Sequence, residues 1–191
     1  MTVLRGPQGT LYGLNSEGGL IRIDGRNPIS AAKKENPLTA HLGFSTHFCR
    51  EAELGYAFQI CPNLAFTADV FYRGTDGYQT NTVLDRKADG ADEAGAKVKF
   101  LWNANRNLQL SLFAEYQHVD EDGFCYGRTH TEDGMVNGEI TDAPATNMLN
   151  NYKRDLFDLG VNVVYNKNSW RLQSTTSFQY LKDDMVMDQD Y

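Results

Sequence analysis

The chain has 191 residues, and 25 acidic against 18 basic side chains give a formal charge of -7, which argues against a nucleic-acid partner. Apolar residues make up 41% of the sequence, yet no run approaches eighteen in a row, so a transmembrane helix is excluded. A transmembrane β-barrel is not, because its strands hide their hydrophobicity in alternation, and ten Tyr, ten Phe and two Trp suit either interfacial girdles or an ordinary β core.

The first element is Val3 to Ile23, VLRGPQGTLYGLNSEGGLIRI, in which Gly6, Gly9, Gly13, Gly18, Gly19 and Pro7 lie between apolar anchors. Glycine admits positive φ and close backbone approach, while proline fixes its own φ and restricts the residue before it. The segment is expected to form tight turns ending in a short strand, 19–23. A phosphate-binding loop is excluded, since GPQGTLYG lacks a Gly-Lys-Ser/Thr ending.

The run from Val3 to Gly13, then Asn15-Ser16, Gly18-Gly19 and Ile21-Arg22-Ile23, closely resembles the last part of the plug domain of TonB-dependent outer-membrane receptors. Leu14 stands where that family often has a basic residue, Glu17 where a small one is frequent and Leu20 where alanine is common. These departures leave the turn chemistry untouched. The resemblance implies an all-β chain, a fragment of a plugged transmembrane antiparallel β-barrel. Residues 1–27 would be the C-terminal part of the plug, 28–38 a linker and 39–191 the N-terminal part of the barrel, about seven strands of a much larger one. Arg5, Gly6, Pro7, Gly9, Gly13, Asn15, Gly18 and Gly19 would be its structural motif, with Arg5 paired to an acidic group of plug or barrel wall.

After the motif, Asp24 to Pro28 breaks the strand, and Ser30 to Pro37 is polar and reads as linker. Period two then dominates. Strands are expected at 39–49, 52–61, 64–73, 94–102, 108–119, 155–165 and 170–181, with a turn at Arg50-Glu51, long connections at 74–92 and 120–152, and a further loop opening at Lys182. Most are ten to twelve residues long, which suits a tilted membrane-crossing strand. The turns after the second, fourth and sixth are short and the connections after the third and fifth long, as an outer-membrane barrel requires. One face of each strand is rich in Leu, Phe, Val and Tyr and the other in Lys, Gln, Asp, Ser and Thr. Alternation alone also fits a soluble antiparallel sandwich or a porin-like channel.

No nucleophile is paired with a base and no carboxylates are posed on a defined scaffold, so an enzyme is not expected, nor a cofactor. His41 and His47 would share one strand face but stand about 20 Å apart, too far to ligate one metal. The carboxylates at Asp120, Glu121, Asp122, Glu132, Asp133, Glu139 and Asp142 lack the calcium-loop order and read as a solvated acidic loop. Asp120, Glu121 and Asp122 are also candidates for meeting divalent cations at lipopolysaccharide. Cys49 lies near the first hairpin turn and Cys61 at the far end of the returning strand, so they are not expected to pair, and Cys125 lies in a loop. What the resemblance implies is energised uptake across the cell outer membrane of a scarce, bulky substrate, most often a ferric siderophore or other iron complex. The partners would be outer-membrane lipid and the TonB energy-coupling complex.

Overall fold

A computed structural model describes residues 2–7, 18–22, 25–123, 129–132, 135–140, 144 and 146–188. The chain is all-β. A short hairpin comes first, β1 (Thr2–Arg5) against β2 (Gly19–Arg22), with Val3 opposite Ile21 and Leu4 opposite Leu20. The helix α1 (Pro28–Ala32) follows, then β3 (Leu38–Phe44), β4 (Arg50–Cys61), β5 (Leu64–Thr75), β6 (Thr80–Asn81), β7 (Arg86–Lys87), β8 (Ala91–Asn103), β9 (Leu108–Glu121), β10 (Thr129–Glu132), β11 (Met135–Ile140), β12 (Asn151–Lys167) and β13 (Trp170–Val186). Seven of these form one antiparallel sheet in chain order, β3-β4-β5-β8-β9-β12-β13. The pairs β6-β7 and β10-β11 are small hairpins within the two long connections.

The seven expected strands are all present, in the expected order and with successive neighbours paired. The details differ in several places. The first strand stops at Phe44, because His47 and Phe48 adopt positive φ (59° and 52°) in a 3-10 turn, so the alternation continuing through them is coincidental. Arg50 and Glu51 therefore begin β4 rather than turn the chain. The later strands run further than expected, with β13 continuing to Val186 through the charged run, since Lys182, Asp183 and Asp184 take ladder places opposite Asp155, Arg154 and Lys153. Finally, the expected linker contains a helix. Asn27 caps it by accepting from the Ser30 amide, Pro28 fills its first turn, and Pro28 and Ala31 are buried.

The register assembles the two strand faces into rows. On the apolar face, Phe58-Phe66-Phe100-Leu112-Val161 crosses the sheet, followed by Tyr56-Ala68-Val98-Ala114-Leu159-Phe178 and then Leu54-Val70-Ala96-Tyr116-Phe157-Tyr180. Much of this face is open: Leu54, Phe58, Val70, Leu112, Val161 and Phe178 are all exposed. The buried side chains Ala57, Ala65, Thr67, Leu101, Val119 and Val164 all sit on the opposite, polar face. On the polar side β4, β5 and β8 are also crossed by α1, whereas the apolar side is left uncovered by the described residues.

Connections are short at one end of the sheet, at 62–63, 104–107 and 168–169. At the other end they are 45–49 and the long 76–90 and 122–150.

Candidate functional site

The polar face carries a matched charge network. Arg73 donates to Glu51 Oε1 at 3.0 Å and Glu53 Oε1 at 2.7 Å, and its Nη1 lies 3.8 Å from Glu93 Oε2. Cross-strand register explains this, because Glu51, Arg73 and Glu93 are direct partners on β4, β5 and β8. His41 Nε2 stands 3.5 Å from Glu51, Gln117 donates to Glu93, and Arg154 donates to Gln117 at 3.2 Å. Two rows nearer the short-turn end than Arg73, Lys97 meets Glu115 at 2.7 Å, and Asp69 receives Arg26 from outside the sheet.

Arg26 belongs to the segment that carries α1 across β4, β5 and β8. Its guanidinium bonds to Asp69 and donates to Thr39 Oγ1 at 3.1 Å. This close approach requires Gly55, whose missing Cβ would overlap Asp69 and stand 2.5 Å from Arg26 Nη2. The segment's far end is tied as well, with the Ala57 amide donating to the Pro37 carbonyl at 3.2 Å. A cavity of about 460 Å³ opens beside it, between Arg26, His41, Glu53, Arg73, Lys97 and Glu115.

At the long-loop end, a cleft of about 530 Å³ is lined by Arg50, Asp76, Arg86, Lys87, Asp92 and Asp120 among others. Most of its charges are paired, Arg50 with Asp76 and Asp92, Arg86 with Asp122 and Lys153 with Asp120, while Lys87 donates to the Tyr78 carbonyl. Asp120 and Asp122 thus hold protein cations, whereas the side chains at 132–142 lie outside the described residues. Above the cleft, Asn81 ties the two long connections together. Its Nδ2 donates to Thr146 O and Oγ1 at 3.0 and 2.8 Å, and its Oδ1 accepts from the Val83 and Leu84 amides. Asp188 accepts from the Asn147 and Met148 amides, closing the brace onto the end of the sheet.

Of the motif residues, Arg5, Gly6 and Pro7 end and follow β1, and Gly18 and Gly19 precede and open β2. Arg5 is exposed and lies opposite Gly19. Gly19 has φ of +133°, and a Cβ there would stand 2.6 Å from the Leu4 carbonyl oxygen, so the pairing of β1 with β2 demands glycine. Gly9, Gly13 and Asn15 lie outside the described residues, as does Cys125.

Cys49 and Cys61 are free thiols at opposite ends of β4. Cys49 Sγ lies 3.4 Å from both Thr75 Oγ1 and Tyr78 Oη. Hydrogen bonding to Thr75 first, and Tyr78 second, holds this thiol below its ordinary pKa, while the same contact raises the Tyr78 phenol. His47 is turned away from the His41 strand and lies against the Tyr78 ring, centroids 4.3 Å apart. Among the described residues, no three His, Cys, Asp or Glu side chains converge as a metal site.

The Arg26-Asp69 bond and the Asn81 brace were not visible in the sequence. Their only local signals are the Asn-Pro helix start after Arg26 and a Thr-Asn-Thr run around Asn81. No family model matches the chain, and no solved structure matches it.

Proposed function

We propose that this chain is part of a TonB-dependent outer-membrane receptor that takes up an iron complex, with the seven-stranded sheet forming one arc of the barrel wall. The observation that carries this reading is the inverted sheet: its apolar face is exposed and its polar face holds the buried and ion-paired side chains. In water such a surface would be covered by a second sheet or a helix. In an outer membrane it meets lipid, and the polar face lines a wet lumen.

Three further features agree. From Leu108 to Tyr116 the apolar band on β9 spans about the 9 to 11 residues that a tilted strand needs to cross the hydrocarbon. Aromatics mark both borders of that band. Trp102, Tyr165 and Trp170 stand at the short-turn end, where the rings of Tyr165 and Trp170 are 5.8 Å apart. Tyr72, Tyr116 and Tyr180 stand at the long-loop end, where Tyr116 donates to Asp155 at 2.6 Å and Tyr72 to Asp92. The third feature is the edges. In lipid every backbone group must be paired, so the outer edges of β3 and β13, which have no strand partner among the described residues, call for neighbouring strands in a closed ladder.

The glycine motif supplies the plug reading and, through its wording, the iron-complex substrate. Radioactive iron uptake tests both. A Gram-negative strain dependent on the full receptor should accumulate a ferric siderophore only when TonB is present. Uptake of iron complexes that is unchanged by deleting either the receptor or TonB would overturn the proposal.

A further inference from the structure

We infer that residues 25–37 form a releasable strap on the polar face, held by Arg26 on Asp69 and given a ready exit by Lys97. The docked state is the one observed. Arg26 bonds to Asp69 and Thr39, Pro28 and Ala31 are buried, and the Pro37 carbonyl accepts from Ala57. The strap is the covalent path between the β1-β2 hairpin and the sheet, so its attachment sets how much slack lies between the two.

Undocking Arg26 would ordinarily strand a carboxylate on the sheet. Here it does not. Lys97 stands directly opposite Asp69 in the β5-β8 register, and Glu115 directly opposite Lys97 on its other side in the β8-β9 register. Direct cross-strand neighbours on one face have Cβ atoms about 5 Å apart, within easy reach of a lysine stem. With Arg26 docked, the Lys97 ammonium lies on Glu115 at 2.7 Å. When Arg26 leaves, the same ammonium swings to Asp69 or bridges both carboxylates. Two cations therefore share two carboxylates in the docked state, and one cation spans both in the released state. All four side chains are partly exposed, Arg26 and Asp69 to 33% each, so hydration softens the exchange further.

Trypsin cleavage at the exposed Lys33-Lys34 pair reports strap release, because a native segment is cut in proportion to its open population. Cleavage after the exposed Lys167, beside the β12-β13 turn and away from the strap, serves as the reference for loosening elsewhere in the sheet. On the full chain, Asp69→Asn is expected to speed the strap cut about two- to fivefold, the range of a partly exposed ion pair. Lys97→Met is expected to slow it about twofold, because the released state loses its substitute cation. Glu115→Gln is expected to speed it, because Lys97 then competes with Arg26 for Asp69. A Lys97→Met cut as fast as or faster than wild type, or a Glu115→Gln cut no faster, with the Lys167 cut unchanged, would overturn the strap exchange. If either variant speeds the Lys167 cut in parallel, it has loosened the sheet and the other variant decides.

Discussion

Arg73 Nη2 lies 2.7 Å from Glu53 Oε1 although Glu53 is paired in register with Phe71, so the guanidinium reaches diagonally past its own cross-strand partner, Glu51. With Nε on Glu51 and Nη1 toward Glu93, one cation on β5 separates three carboxylates on the two flanking strands.

Arg73→Met keeps the stem but leaves Glu51, Glu53 and Glu93 facing one another. The guanidinium is 47% exposed, so the loss is expected to be modest, about 1 kcal/mol by denaturant unfolding in detergent. It should shrink as salt rises, because Glu-Glu repulsion is then screened. Arg73→Lys should recover less than half of it, since a lysine lacks the planar guanidinium that reaches Glu51, Glu53 and Glu93 from three separate nitrogens.

Asn81 is 2% exposed and uses both ends of its amide. Asn81→Ala is expected to cost about 1–3 kcal/mol of local stability, read as faster amide exchange in both 82–84 and 146–150. Asn81→Asp separates the two arms, because it keeps the acceptor for Val83 and Leu84 and loses the donor to Thr146. Exchange should then rise in 146–150 alone.

The β1-β2 pairing depends on Gly19. Gly19→Ala places a Cβ against the Leu4 carbonyl at a φ that L residues avoid, at an expected cost of about 1–3 kcal/mol. Amide exchange across Thr2–Arg5 should accelerate while exchange in β4 to β9 stays at the wild-type rate.

Phe178 and Ser177 are chain neighbours on opposite faces of β13, both exposed. If the apolar face meets lipid, Phe178→Arg near the middle of the band should destabilise the protein in bilayers by about 2–4 kcal/mol, whereas Ser177→Arg should change little. Equal, small effects of the two substitutions in lipid vesicles would contradict the assignment of faces.

Much of the sheet was legible because alternation is a local property. Leu54, Tyr56 and Phe58 announce one face of β4 without reference to any other strand. Strand ends were less so. His47 and Phe48 extend the pattern while their backbones leave the strand, and Lys182 to Asp184 look like loop until their partners on β12 are known. The helix at 28–32 is too short for periodicity to register, and only Asn27-Pro28 hinted at it. The links that shape the candidate site join positions far apart, Arg26 with Asp69 and Asn81 with Thr146, at separations of 43 and 65 residues. No local pattern carries such contacts, since they exist only once the register brings the rows together.

Cys49 and Cys61 offer the most direct test of a membrane-crossing sheet, because they cap the two ends of β4. The proposed receptor would be expressed in intact Gram-negative cells with only one of the two retained and Cys125→Ser, then treated with a membrane-impermeant maleimide. Cys49, whose lowered pKa supplies more thiolate at neutral pH, is expected to label in intact cells. Cys61, beside the short 62–63 turn, is expected to label only after the outer membrane is permeabilised. Equal labelling of both in intact cells, or of neither until lysis with the protein in the soluble fraction, would contradict a strand that crosses the outer membrane.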